Sequence, residues 1–318
     1  MNQASYKFIL TLLLSISLYT QGCNSLENTR ETSNTKESIM VIAHRGASAY
    51  APENTLSAFE KAVELKAPWY ELDCQITKDG KIIVLHDKDL ERTTGKQGII
   101  WETHSDDLKG LETGAWFSSA FKGEPLPTLT QSLEMAKGRI GVYVEIKSCD
   151  SWEPIVGPLL PLFAAEGSLT PKVRQACEAA LEQHSNNRDI ALTRGAIHEI
   201  RTLNMEKEIV IQSFSPLICL IALLEAPDLR TEFLGSDDPE KPEQWERFVN
   251  FGMQIGVHGF NVSHGSLTPE RLQWFHDQGK TVAVWTVDEP VEMKKFADWG
   301  VDGIITNKPD VVLDVLGR

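Results

Sequence analysis

Cysteine is scarce. The chain has five among 318 residues and no C-x-x-C pair, which leaves no basis for a zinc ribbon or a dithiol redox centre. Cys74, Cys149, Cys177 and Cys219 read as small core residues, although export would allow two of them to pair. Positive charge is also short: 31 Lys and Arg stand against 45 Asp and Glu, a formal net charge of −14. That balance excludes nucleic acid or an anionic membrane surface as the principal partner. An acidic protein that takes an anionic ligand must therefore gather local positive charge from a metal ion or from a few Arg and Lys. Long apolar runs are missing too. The most apolar stretch, Phe8 to Leu18, covers eleven residues, short of the roughly 20 that a membrane-spanning helix needs.

That stretch suits the core of a signal peptide. Lys7 precedes it, and Gly22-Cys23 follows in the manner of a bacterial lipoprotein signal, in which the cysteine is lipidated and becomes the new N-terminus. Thr20 stands where that pattern usually has Leu, and an ordinary secretory signal cut nearby is the alternative. Asn24 to Ser38, rich in Asn, Thr, Ser and Glu, has little to bury and reads as a flexible tether. The expected organisation is a leader over 1–22, a tether over 23–38 and one domain over 39–318, exported and held to a membrane only through Cys23.

From Ser38 onward, short β-branched runs alternate with amphipathic stretches. The spacing predicts strands at Met40–His44, Trp69–Asp73, Ile140–Ile146, Ile209–Phe214, Arg230–Leu234, Gly259–Val262, Thr281–Thr286 and Gly303–Thr306. Between them lie helical patterns, most of which open at or near proline, a residue suited to the first turn of a helix. Such alternation implies a parallel sheet, and eight strands favour closure into a (β/α)8 barrel of the TIM type, for which about 250 residues suffice. An open doubly wound sheet is the competing architecture. Two insertions interrupt the rhythm. Lys78-Asp79-Gly80-Lys81 reads as a hairpin turn that returns His86 roughly opposite Asp73. Residues 87–127 then form a small inserted subdomain, and the long connection over 148–208 carries more than one helix.

Barrel enzymes keep their chemistry at the C-terminal ends of the strands. His44 and Arg45 end the first predicted strand. Glu71 and Asp73, at i and i+2, share one face at the end of the second; Glu145 and Lys147 do so at the end of the third. Three carboxylates offer hard oxygen ligands to Mg2+ or Ca2+. Two imidazoles can act as acid and base near neutral pH. Arg45 presents a planar fork to phosphate, and Lys147 a point charge. Each group has a bland explanation alone, as a structural hydrogen-bonding residue. Their coincidence on strand ends of one polarity is what suggests phosphodiester hydrolysis.

The stretches His44-Arg45-Gly46, Pro52-Glu53-Asn54-Thr55, Glu71-Leu72-Asp73, Thr77-Lys78-Asp79-Gly80, His86-Asp87 and Leu90-Glu91-Arg92-Thr93-Thr94 resemble the glycerophosphodiester phosphodiesterase pattern in order and spacing. Glu145-Ile146-Lys147, Gln212-Ser213-Phe214, Trp285-Thr286-Val287 and Gly300 to Pro309 continue the likeness to the C-terminus. The resemblance implies a TIM barrel that cleaves deacylated phospholipids to glycerol 3-phosphate and an alcohol. It implies His44 and His86 as the acid–base pair, Glu71, Asp73 and Glu145 as ligands of the divalent metal, Arg45 and Lys147 as phosphate contacts, and Trp285 on the glycerol side. Lys66-Ala67-Pro68-Trp69-Tyr70 departs from the family's approach to the second strand, and the connection over 148–208 is longer than expected. A lipid phosphodiesterase of phospholipase D-like or phosphoinositide-cleaving type is the alternative. It would need an apolar approach surface, and Trp101, Trp116, Phe117 and Phe121 of the insertion read instead as that subdomain's own core. A binding protein that kept the barrel and lost turnover would have an incomplete catalytic set.

Overall fold

The computed structural model describes residues 39–318; the leader, the tether and Cys23 lie outside the described residues. Eight parallel strands run as β1 (Met40–Ala43), β2 (Trp69–Ile76), β4 (Gly141–Ile146), β5 (Ile209–Ser213), β6 (Arg230–Gly235), β7 (Gly259–Ser263), β8 (Thr281–Trp285) and β9 (Gly303–Thr306), with the antiparallel β3 (Ile82–Val84) appended to β2. The sheet closes. β1 pairs with β9 on one side and with β2 on the other, Ile42 opposite Trp69 and Ala43 opposite Tyr70, which rules out the open doubly wound sheet.

Local chemistry sets the helix starts. Thr55 caps α1 (Leu56–Glu64) by accepting from the Ala58 N–H, α2 is the single turn Glu91–Thr94, and Thr128 and Gln131 form a capping box on α3 (Leu129–Ala136). The long connection holds α4 (Glu153–Val156), α5 (Leu160–Glu166), α6 (Pro171–Gln183) and α7 (Arg188–Thr202). The barrel helices α8 (Pro216–Glu225), α9 (Pro242–Ile255), α10 (Pro269–Asp277), α11 (Pro290–Trp299) and α12 (Pro309–Leu316) each open on proline, where the missing N–H would have had no helical partner. Among the described residues no helix is long and apolar enough to cross a membrane.

Most apolar side chains pack between strands and helices. The barrel interior holds a smaller set in which Ile42, Tyr143, Val210, Ala283 and Ile305 meet. Trp69 lies across the bottom of this interior, and a Cβ on Gly141 would meet its indole at 2.3 Å; glycine is required there by close approach. Two expectations need correction. The hairpin turn is one residue tighter than expected: Thr77 N–H bonds to the Lys81 carbonyl, and Gly80, at φ +88°, closes the loop. Leu85 therefore stands opposite Asp73, donating its N–H to the Asp73 carbonyl at 2.9 Å, and His86 lies one position beyond. Of the insertion's aromatics only Trp101 packs on its core of Ile83, Leu85, Leu90, Ile100 and Leu108. Trp116, Phe117 and Phe121 make a separate edge-to-face chain, with Trp116 exposed. The four cysteines among the described residues are all unpaired.

Candidate active site

The turn after β1 builds the first half of the site. His44 N–H bonds to the Thr306 carbonyl, and Arg45 and Gly46 then both adopt positive φ, 55° and 79°. This geometry aims the Arg45 N–H at Glu71 Oε2, 2.9 Å away. Gly46 also sits against α1, where a Cβ would come within 2.6 Å of the Ala58 backbone. Only glycine satisfies both demands.

Glu71, Asp73 and Glu145 follow as predicted, on β2 and β4, with an oxygen of each within 4.8 Å of the others and all three buried. Asp73 accepts from Asn54 Nδ2 at 2.9 Å and pairs with Arg45 Nε at 3.2 Å and Lys147 Nζ at 3.4 Å. Glu145 pairs with Lys147 at 2.6 Å. Glu71 Oε1 is buried with no hydrogen-bond partner. The charges are unequally compensated. Burial, then the charges of Asp73 and Glu145, push Glu71 well above the usual carboxylate range. Burial and Asp73 push Glu145 up to about 7. Burial would raise Asp73 as well, but Lys147 and Arg45 pull it below its ordinary value. A buried trio of hard oxygens with one orphaned carboxylate oxygen fits a divalent cation, which offsets their mutual repulsion.

The two imidazoles approach the trio from different elements. His44 Nδ1 lies 2.8 Å from Asn307 Oδ1, which also accepts from Ser48 Oγ at 2.7 Å. Asn307 Nδ2 donates to Asp288 Oδ2 at 2.6 Å, fixing the orientation of the amide. Burial, then Arg45, lowers His44 to about 4. His86 Nδ1 meets Asp87 Oδ1 at 2.7 Å. Asp87 pairs with Arg92 at 2.5 Å, Arg92 grips Glu53 through two nitrogens, and Glu53 returns to Arg45 at 2.9 Å. This chain of ion pairs joins the rim positions of His86 and Arg45.

Together, His44, Arg45, Glu71, His86, Glu145 and Lys147 line one cavity of about 170 Å3 at the barrel mouth. Its far wall is apolar: Phe214, Leu234 and Trp285, with Phe214 edge-on to Trp285 at 5.4 Å. Trp285 is held by its Nε1–H donating to the Asn261 carbonyl at 2.9 Å. All eight predicted rim residues thus converge, Asp73 through its contacts with Arg45 and Lys147. A larger groove of about 410 Å3 between α9 and α10, lined by Trp245, Arg271 and Trp274, holds none of them.

Residues 44–155 and 166–311 match the sequence profile of the glycerophosphoryl diester phosphodiesterase family. The chain belongs to that family. Within it, the chain is 29% identical over 281 residues to a glycerophosphodiester phosphodiesterase of Bacillus subtilis (strain 168), covering 86% of this chain and 85% of that one. It is 29% identical over 280 residues to another from Caldanaerobacter subterraneus subsp. tengcongensis, covering 88% and 98%. The fold is that of an Oleispira antarctica phosphodiesterase solved with its product sn-glycerol-3-phosphate, with TM-score 0.68, 22% identity, and coverage of 88% of this chain and 97% of that chain.

Several residues that support this site had no role assigned from the sequence. Gln75, buried on the face of β2 that carries Glu71 and Asp73, donates from Nε2 to the carbonyls of Leu85, His86 and Asp87 at 3.1, 3.0 and 2.6 Å. Its i+2 spacing from Asp73 was a usable signal. Asn54, Glu53, Arg92 and Asn307 lay inside the motifs, but the Asn54–Asp73, Glu53–Arg92 and Asn307–His44 contacts join residues 19, 39 and 263 positions apart.

Proposed function

We propose that this protein hydrolyses glycerophosphodiesters to sn-glycerol 3-phosphate and an alcohol, with Glu71, Asp73 and Glu145 holding a divalent metal. The observation that carries this reading is the convergence of the buried carboxylate trio, both imidazoles and two cationic side chains on one cavity. The family relationship supports it, as does the product sn-glycerol-3-phosphate bound in the Oleispira antarctica phosphodiesterase. Mg2+ or Ca2+ suits the oxygen donors, and when bound it acts as a Lewis acid on the phosphoryl oxygens.

The remaining chemistry belongs to side chains of this chain. An amide oxygen can only accept, so His44 carries its proton on Nδ1 and leaves Nε2 as the acceptor. Neutral at physiological pH, His44 serves as the base that takes a proton from the attacking water. A carboxylate likewise only accepts, so His86 keeps Nδ1–H on Asp87, and its Nε2 delivers a proton to the departing alcohol oxygen. Water oxygen bonds to phosphorus as the phosphorus–alkoxy bond breaks. Arg45 and Lys147 carry the positive charge that an anionic diester needs inside an acidic protein. Trp285 faces the glycerol. The leader and Cys23 support an exported, membrane-tethered enzyme.

Turnover of a glycerophosphodiester panel, with and without chelator, tests the reading. Activity should disappear on metal removal and return on adding Mg2+ or Ca2+, while far-ultraviolet circular dichroism stays unchanged. Full activity after verified metal removal would overturn the metal assignment.

A further inference from the structure

Phe214 and Leu234 line more than the mouth. These two residues also border a second cavity of about 480 Å3 that runs outward between α5 and α9. Its floor is Phe233 and Phe248 with Gly235, whose missing side chain leaves the Phe248 ring in place: a Cβ would meet it at 2.5 Å. Its wall is Trp152 and Val156 of the α4 region and Leu160 and Ala164 of α5. Phe214 is 46% exposed and Leu160 36%, although each is a large apolar side chain. Polar groups, Glu153, Gln244 and Arg247 among them, accompany the apolar lining.

Two features bear on the occupant. The groove shares Phe214 and Leu234 with the catalytic cavity, so a molecule whose phosphate lies at Arg45 and Lys147 need only pass these two side chains to enter it. The wall segment also falls where the match to the family profile is interrupted, between residues 155 and 166. Val156, Leu160 and Ala164 are thus features of this chain outside the matched family core. A cavity of 170 Å3 is small for a complete ligand site, whereas the two together reach the usual range of several hundred Å3.

We propose that the groove is a substrate subsite for one flexible hydrocarbon chain, so that the enzyme acts on glycerophosphodiesters that retain a single acyl or alkyl chain. The inference rests on the phosphodiesterase reading of the site and narrows its substrate class. The diester phosphate binds at the rim, one ester arm crosses the Trp285–Phe214 edge contact, and the chain carried by that arm lies along Phe233, Val156 and Leu160. Removing the chain from water is the source of the added affinity.

The test is kcat/KM of the full-length, metal-loaded enzyme on glycerophosphocholine and on two homologous series kept below their micelle concentrations. One series carries the acyl chain on the glycerol, the other an alkyl chain on the leaving alcohol. In one series kcat/KM should rise about two- to fourfold per methylene until the groove is full, and that series identifies the arm. Ala164→Trp, which fills the groove, and Leu160→Asp, which charges its wall, should flatten the rise and leave glycerophosphocholine turnover unchanged. If Ala164→Trp does not fold, Leu160→Asp alone decides. Turnover on glycerophosphocholine with no chain-length dependence in either series overturns the subsite while leaving the phosphodiesterase reading intact. A rise that persists in a folded variant also overturns it. Binding to phosphatidylcholine vesicles without chain-length dependence makes the groove a membrane contact instead. Loss of turnover on every diester overturns both readings.

Discussion

At His44 the free nitrogen is chosen by a neighbour 263 positions away: Asn307 Oδ1 lies 2.8 Å from Nδ1, and Asp288 holds the amide the right way round. His86 is oriented on Nδ1 by Asp87 and through its backbone by Gln75. Equal positioning does not mean equal tasks. His44→Ala and His86→Ala should each cost at least about a hundredfold in turnover on a natural diester, with little change in melting temperature. A diester with a very good leaving group should restore turnover to His86→Ala and not to His44→Ala, because only the departing alcohol needs the acid. Gln75→Leu, which frees the carbonyls of Leu85, His86 and Asp87 from their shared donor, should lose about tenfold or more. Its loss should shrink on the same activated substrate. Near wild-type turnover in both histidine variants would leave the family likeness describing the fold alone.

Single elements show where local sequence suffices. The strand ends and proline-led helix starts follow from β-branched runs, Thr caps and proline geometry, and they agree with the spacing to within a few residues. The hairpin register does not. An Asp-Gly turn is compatible with loops of different length, and the three-residue loop with Gly80 at φ +88° is the one that seats Ile83 and Leu85 in the insertion's core. The turn joining β1 to α1 carries a further consequence. Gly46 is left-handed at φ +79°, and a Cβ added to it would lie 2.6 Å from the Ala58 backbone. Gly46→Ala should therefore lower stability by about 2 kcal/mol or more in chemical denaturation and loosen the Arg45 N–H bond to Glu71. Unchanged stability would show that α1 can shift to admit the methyl group.

Across the whole molecule the formal charge of −14 poses an electrostatic problem for an enzyme of anionic diesters. The barrel addresses it locally, placing Arg45 and Lys147 against the carboxylate trio at the mouth. Ile39, where the tether would enter, leads into the start of β1, at the end of the barrel opposite that mouth. An anchor of the kind proposed, attached through that end, would leave the site opening away from it. Cys23→Ser should release the protein from membranes or leave its leader uncleaved, while the purified barrel retains full turnover. Native protein without lipid at Cys23, found free in the soluble exported fraction, would refute the anchor.

The sequence by itself determined the alternation of strands and helices, the polarity of the strand ends and the identity of the rim residues, because all three depend on short-range periodicity and on motifs a few residues long. Closure of the barrel, the Asn307–Asp288 support of His44, the ion-pair chain from His86 to Arg45 and the groove beyond Phe214 were decided only by the tertiary structure. Each joins groups tens to hundreds of positions apart, and such pairings follow from packing the closed sheet against its helices, which no local pattern encodes.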